Sequence, residues 1–230
     1  LLPISFINSV LMPSKPLIVS SSCVFWNCNS LGGDKRSQLD DMIHPRLTMM
    51  RSLPAVIALC ETRLKNNNVP RLAGYSWVST SKPGCPGCGF FVHNSIPHRL
   101  HGTDSPLLRP SGTDLAIIDI CWLQTRLPNT QRDTLLACVY INTHHSDFDN
   151  NRHWTILEQC LETGLDTGRD MLVLGDFNAE HMDLGGRRDT VPGRRLVSAI
   201  NSLGLTCLNR LHCPGVVTRP SPLLILDNGG

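Results

Sequence analysis

Four stretches of this chain end apolar runs on side chains suited to handling a phosphate ester. MLVLGDFNAE (Met171–Glu180) carries four apolar residues to Gly175 and then sets Asp176 and Asn178 two apart. PAVIALCE (Pro54–Glu61) stops on a carboxylate, and LIVSSSCVFWN (Leu17–Asn27) stops on Asn27, with Asn29 two residues on. LLACVYINTHH adds the Tyr140 phenol. A hard cation such as Mg²⁺ takes oxygen ligands, keeps several waters and uses one or two protein carboxylates. Glu61 supplies such a ligand. A separate carboxylate, Asp176, can orient or deprotonate water, while neutral amides hold a phosphate without adding repulsive charge. The plainer alternative at each position is a cap or turn residue bonding its own backbone.

These side chains need elements that bring them together. Apolar runs of four to eight residues bounded by turn signals read as strands buried on both faces, which predicts strands at Leu17–Asn27, Pro54–Glu61, Gly89–Val92, Leu115–Trp122, Thr134–Tyr140 and the run before Asp176. In Met171–Glu180, Gly175 is read as the turn that follows the strand. TRLPNTQRD, between two of the strands, reads as a hairpin turn with Pro128 and Asn129. Trp154, Leu157 and Leu161 fall at helical spacing within Asn150–Thr163, and Leu196, Ile200 and Leu203 do so within Val191–Gly204. A broken helical pattern, kinked at Pro45, spans residues 38–50. Short strands alternating with amphipathic stretches imply sheets covered by helices.

Composition allows this and excludes little else. At 230 residues with 41% hydrophobic and 17% charged residues, the chain fits one globular domain rather than a disordered segment. A net charge of +2 permits nucleic-acid binding through a local patch without demanding it. Of ten cysteines, Cys23, Cys60, Cys121 and Cys138 sit inside strand-like runs, where a thiol packs as a small hydrophobe, favouring a reducing intracellular compartment. The apolar N-terminus is broken by Pro3, Pro13 and Pro16 and lacks a basic lead, so neither a secretory signal nor a membrane span is expected. Residues 1–16 are read as a poorly packed linker and 17–230 as the domain.

In that order and at those separations, WNCNSL, ALCETRL, VYINTHH and VLGDFNAE resemble the successive motifs of the endonuclease/exonuclease/phosphatase superfamily. GFFVHNSI and GRRDTVPGRRLVSAINSLGLTCLN resemble, within it, the apurinic-endonuclease-like domain of LINE-type (non-LTR) retrotransposons. The resemblance spans about residues 17–227. It implies an α/β (α+β) DNase I-like fold: two packed, mostly antiparallel β-sheets flanked by helices, a four-layer sandwich. It implies a Mg²⁺- (or Mn²⁺-) dependent endonuclease that nicks DNA, acts in the nucleus, and shares a parent polyprotein with a reverse transcriptase. Asn27 would hold the scissile phosphate, Glu61 the metal with Asn29 nearby, and Tyr140 the phosphate or transition state. Asp176 would align or activate the attacking water, and Asn178 would orient Asp176. Thr218 and Asp227 match a late threonine and aspartate of the family. The family's closing Ser-Asp-His triplet has no counterpart here, since His145-Ser146-Asp147 runs in reverse and lies upstream, so the sequence is expected to be C-terminally truncated and impaired. Ser30 stands where the family often has glycine.

Three other readings compete. Cys85-Pro86-Gly87-Cys88, with His93, His98 and His101 downstream, has spacing that can serve zinc in a nucleic-acid-binding module. The same residues align with a glycine-rich hairpin of the retrotransposon domains. A phosphatase would use the same metal and water machinery. Against it stand Arg187, Arg188, Arg194 and Arg195, which follow the GDFN motif and could track a DNA backbone. A catalytically dead remnant is the third.

Overall fold

Residues along the central strands alternate between two apolar destinations, and this alternation sets the layers. In the computed structural model, which describes residues 5–7, 18–31, 52–64, 69–79, 85–101, 108, 110 and 112–208, the described strands form two sheets. The first is ordered β1-β2-β3-β5-β4, from β1 (Ser5–Ile7), β2 (Ile18–Asn27), β3 (Ser52–Cys60), β4 (Tyr75–Ser79) and β5 (Gly89–His93). The second is ordered β6-β7-β8-β9, from β6 (His98–Leu100), β7 (Ile118–Thr125), β8 (Thr134–Ile141) and β9 (Asp170–Asp176).

On β3, Val56, Ala58 and Cys60 face the second sheet, while Ile57 and Leu59 join Trp26 and Phe91 on the outer face. On β8, Leu136, Cys138 and Tyr140 face the first sheet, while Leu135, Ala137, Val139 and Ile141 face the helices. With period-two side chains on strands buried on both faces, the result is continuous apolar sequence rather than clean alternation with polar residues. Helix α1 (Asn150–Leu165) covers the second sheet with Trp154, Leu157 and Leu161 at the predicted spacing, and α2 (Val191–Ser202) adds Leu196. Each such large side chain contributes about 1.5–3 kcal/mol on burial. Asp149 caps α1 by accepting from the Arg152 amide at 2.7 Å, and Thr190 caps α2 by accepting from Gly193 at 3.0 Å.

The architecture is the expected α/β one, and five of the seven pairings among the described strands are antiparallel. The two parallel pairs, β2 with β3 and β8 with β9, matter most, because parallel partners end at the same edge. Asn27 is paired with Cys60, and Tyr140 with Asp176. Three details depart from the sequence reading. Gly175 lies within β9 rather than in a turn, and a Cβ there would collide with the Val139 carbonyl on β8. β7 begins at Ile118 because Gly112–Ala116 forms a 3₁₀ turn, whose Asp114 carboxylate accepts from Arg152 and His153 of α1. Ser5–Ile7, inside the segment set aside as linker, pairs with β2. The broken helical pattern expected over residues 38–50 lies outside the described residues. No described helix is long and apolar enough to cross a membrane.

Candidate active site

The two parallel pairs bring Asn27, Glu61, Tyr140 and Asp176 to one edge of the sandwich. There the Asn27 amide nitrogen donates to Glu61 Oε1 at 2.7 Å and to Asp176 Oδ2 at 2.6 Å. One nitrogen thus spans two carboxylates from different sheets. Asp176 Oδ1 accepts the Asn178 amide at 3.0 Å, and Asn178 is fixed in turn by donating Nδ2 to the Ile141 carbonyl at 2.9 Å. Thr143 Oγ1 donates to the Asn178 carbonyl at 3.2 Å. Asn29 is exposed, and its backbone N–H donates to Asn27 Oδ1 at 3.0 Å, fixing the amide's orientation. Tyr140 is buried, and its phenol is pushed well above the ordinary 10.0, first by burial and then by the Glu61 and Asp176 carboxylates, so it stays a neutral donor facing them.

Backbone strain collects at this edge. Among the described non-glycine residues with left-handed φ are Asn29 (42°), Ser30 (82°), Glu61 (52°), Arg63 (46°) and Asn178 (44°). A side chain in this region costs on the order of 1–3 kcal/mol, so neighbours must hold it there. Two rows of backbone bonds do so. Cys28 N–H donates to the Cys60 carbonyl, Ser30 to Glu61 and Leu31 to Thr62, at 3.1, 2.6 and 2.8 Å, continuing the β2–β3 pairing past the strands. From the other side Thr62 donates to Gly87 and Arg63 to Pro86, at 3.1 and 2.9 Å.

The Cys85–Cys88 segment is therefore a clasp on the Glu61 strand end. Its anchor is Asp119 of β7, buried, whose Oδ2 accepts the Gly87 and Cys88 amides at 3.0 and 2.8 Å. Gly87 has φ 91°, and a Cβ would clash with the Thr62 hydroxyl. The zinc alternative finds no support: among the described residues no three His, Cys, Asp or Glu side chains are placed to hold a metal. Cys88 is buried with its thiol raised by burial, His93 Nδ1 meets Ser95 Oγ, and His98 Nδ1 meets the Ile96 carbonyl. Two cysteines support the site from below: Cys28 donates to the Cys60 carbonyl and Cys138 to the Leu59 carbonyl.

Four residues that the sequence reading did not single out shape the site. Asp119, Thr62 and Gly87 form the clasp, and Arg63 Nη2 lies 2.6 Å from Glu61 Oε2. Only the arginine carried a local signal, standing two residues beyond the carboxylate. The four arginines after β9 are used unequally. Arg188 Nε pairs with Glu180 at 3.0 Å, and the Arg187 amide donates to the same carboxylate at 2.9 Å. Arg194 is exposed beside the Asp189 carbonyl, whereas Arg195 is bound to Asn151 and joins α2 to α1. Thr218 and Asp227 lie outside the described residues.

The donor types suit a hard cation: the Glu61 and Asp176 carboxylates converge on the Asn27 nitrogen, although the Arg63 guanidinium occupies Glu61 Oε2. Residues 134–227 match the family described as endonuclease-reverse transcriptase. No curated protein sequence matches the chain significantly. Among solved structures, the endonuclease domain of TRAS1, a telomere-specific non-LTR retrotransposon, aligns with TM-score 0.53 and 14% identity over 79% of this chain and 70% of that one. The AP endonuclease LMAP from Leishmania major aligns with TM-score 0.51 and 16% identity over 79% of this chain and 66% of that one. The two packed sheets and these alignments agree, and the chain has a DNase I-like fold.

Proposed function

We propose that this chain is a divalent-metal-dependent DNA endonuclease domain of a non-LTR retrotransposon, nicking one strand to leave a 3′-hydroxyl that primes reverse transcription. The observation that carries this is the Asn27 amide bridging Glu61 and Asp176. Glu61, with Asn29 nearby, would hold Mg²⁺ or Mn²⁺. When bound, that cation neutralises charge developing on the phosphate. Asp176 has one hydrogen bond on each oxygen, which fixes the carboxylate and leaves lone pairs to align a water and take its proton. Asn178 holds Asp176 in place. The neutral Tyr140 hydroxyl is a donor for the scissile phosphate, and Asn27, whose two N–H groups are held by Glu61 and Asp176, would hold it once one carboxylate turns to the cation.

Arg187, Arg188 and Arg194, on the exposed loop and helix beyond Asn178, are the proposed backbone contacts, with Arg195 of α2 buttressing them through its bond to Asn151 of α1. A reverse transcriptase in the same parent chain is the proposed partner, a reading the description of the matching family supports, and nuclear DNA is the proposed target.

The test is conversion of supercoiled plasmid to nicked circle. Because the closing Ser-Asp-His triplet has no counterpart, impaired, slow nicking is expected with Mg²⁺ and none with chelator, with termini that a polymerase extends. Glu61→Gln and Asp176→Ala should each lower the rate by about 10²–10⁴. Nicking that survives Asp176→Ala would defeat the proposal. Hydrolysis of phosphomonoesters without nicking would favour a phosphatase.

A further inference from the structure

The Glu61 carboxylate already has a cation. Its Oε1 accepts from Asn27, and its Oε2 meets the Arg63 guanidinium at 2.6 Å. The glutamate side chain is only 10% exposed, the arginine side chain 56%. The pairing is built in rather than incidental, because the Arg63 backbone is held at φ 46° by its bond to the Pro86 carbonyl. Asp119 in turn secures that loop. Without such a charge, two carboxylates gathered on one amide nitrogen would repel across a poorly solvated edge.

We propose that Arg63 is an internal counter-ion of Glu61 that a divalent cation must displace, so that cation binding is weak until an anion takes up the released guanidinium. This rests on the proposed metal role of Glu61. The cation and the guanidinium compete for the same oxygen, so free Arg63 is an added cost of loading the site. A phosphate group offers the displaced guanidinium a bidentate partner. Cation and anion then favour each other, and the linkage is reciprocal. In this arrangement metal is retained mainly when substrate is present.

The experiment is Mn²⁺ titration of the apoprotein by electron paramagnetic resonance, with and without inorganic phosphate, on the wild type and on Arg63→Gln, Arg63→Lys and Glu61→Gln. Circular dichroism checks that each variant is folded. Arg63→Gln should bind Mn²⁺ on the order of tenfold more tightly in the absence of phosphate, because a competing charge near a partly screened carboxylate is gone. Arg63→Lys should fall between it and the wild type. Phosphate should tighten Mn²⁺ binding more in the wild type than in Arg63→Gln. Equal or weaker Mn²⁺ binding by folded Arg63→Gln overturns the inference, as does an equal phosphate effect in both proteins. If Mn²⁺ binding is undiminished in Glu61→Gln, the cation is elsewhere and the metal role of Glu61 falls too; loss of binding there alone leaves that role standing whatever Arg63 does.

Discussion

Asp119 touches none of the proposed reacting groups, yet it should govern where Glu61 sits. Its Oδ2 accepts two amides, Gly87 at 3.0 Å and Cys88 at 2.8 Å, and all three residues are buried. Hydrogen bonds to a charged partner contribute about 1.5–3 kcal/mol each, and buried N–H groups left without an acceptor are not rescued by water. Two such bonds give about 3–6 kcal/mol. Removing a buried carboxylate also relieves its desolvation, so the lower end is expected for Asp119→Ala, about 3 kcal/mol. Asp119→Asn keeps an oxygen in place and loses only the charge, for which about 1–2 kcal/mol is expected. Urea unfolding followed by tryptophan fluorescence reads this directly: at a slope of about 2 kcal/mol/M, Asp119→Ala should lower the midpoint by roughly 1.5 M and Asp119→Asn by about 0.5–1 M. An Asp119→Ala midpoint within about 0.3 M of wild type would refute the reasoning, since the two amides would then have found other acceptors.

Three further outcomes are expected. The only two tyrosines, Tyr75 and Tyr140, both have phenols raised above 10.0, chiefly by burial. Their folded values exceed the unfolded one, so the stability they contribute is intact below pH 10 and is lost as pH climbs beyond it; absorbance at 295 nm should show almost no phenolate at pH 10.5 in the folded protein and substantial phenolate in denaturant. Gly175→Ala should cost about 1–3 kcal/mol, because the added methyl meets the Val139 backbone and must spread β9 from β8; a thermal midpoint unchanged from wild type would contradict this. Arg187→Gln with Arg188→Gln should flatten the dependence of DNA affinity on salt, reducing the slope of log affinity against log salt by about 1–2, and an unchanged slope would remove these residues from the DNA contact.

Much of the molecule was legible from local pattern. Strands buried on both faces announce themselves as apolar runs, and the helical spacing of Trp154, Leu157 and Leu161 marked the face that α1 buries. Polar residues closing those runs, Asn27, Glu61 and Asp176, pointed to strand ends because a charged or amide group is costly inside the core and cheap at its edge. The short strands β4 and β6 went unpredicted: three- and five-residue strands carry too little periodicity to stand out. Gly175 was misplaced because glycine signals a turn and a close backbone approach equally well.

The meeting of these residues was not written in any local stretch. Asn27 reaches Glu61 across 34 positions of sequence and Asp176 across 149. Side-chain type and spacing fixed which groups would stand at strand ends, since burial is a local preference repeated along each strand. Parallel pairing of β2 with β3 and β8 with β9, and the stacking of one sheet on the other, decided that those ends share an edge. The same packing recruited Asp119 from the opposite sheet, because hydrogen bonds act through space at a few ångströms and are blind to distance along the chain.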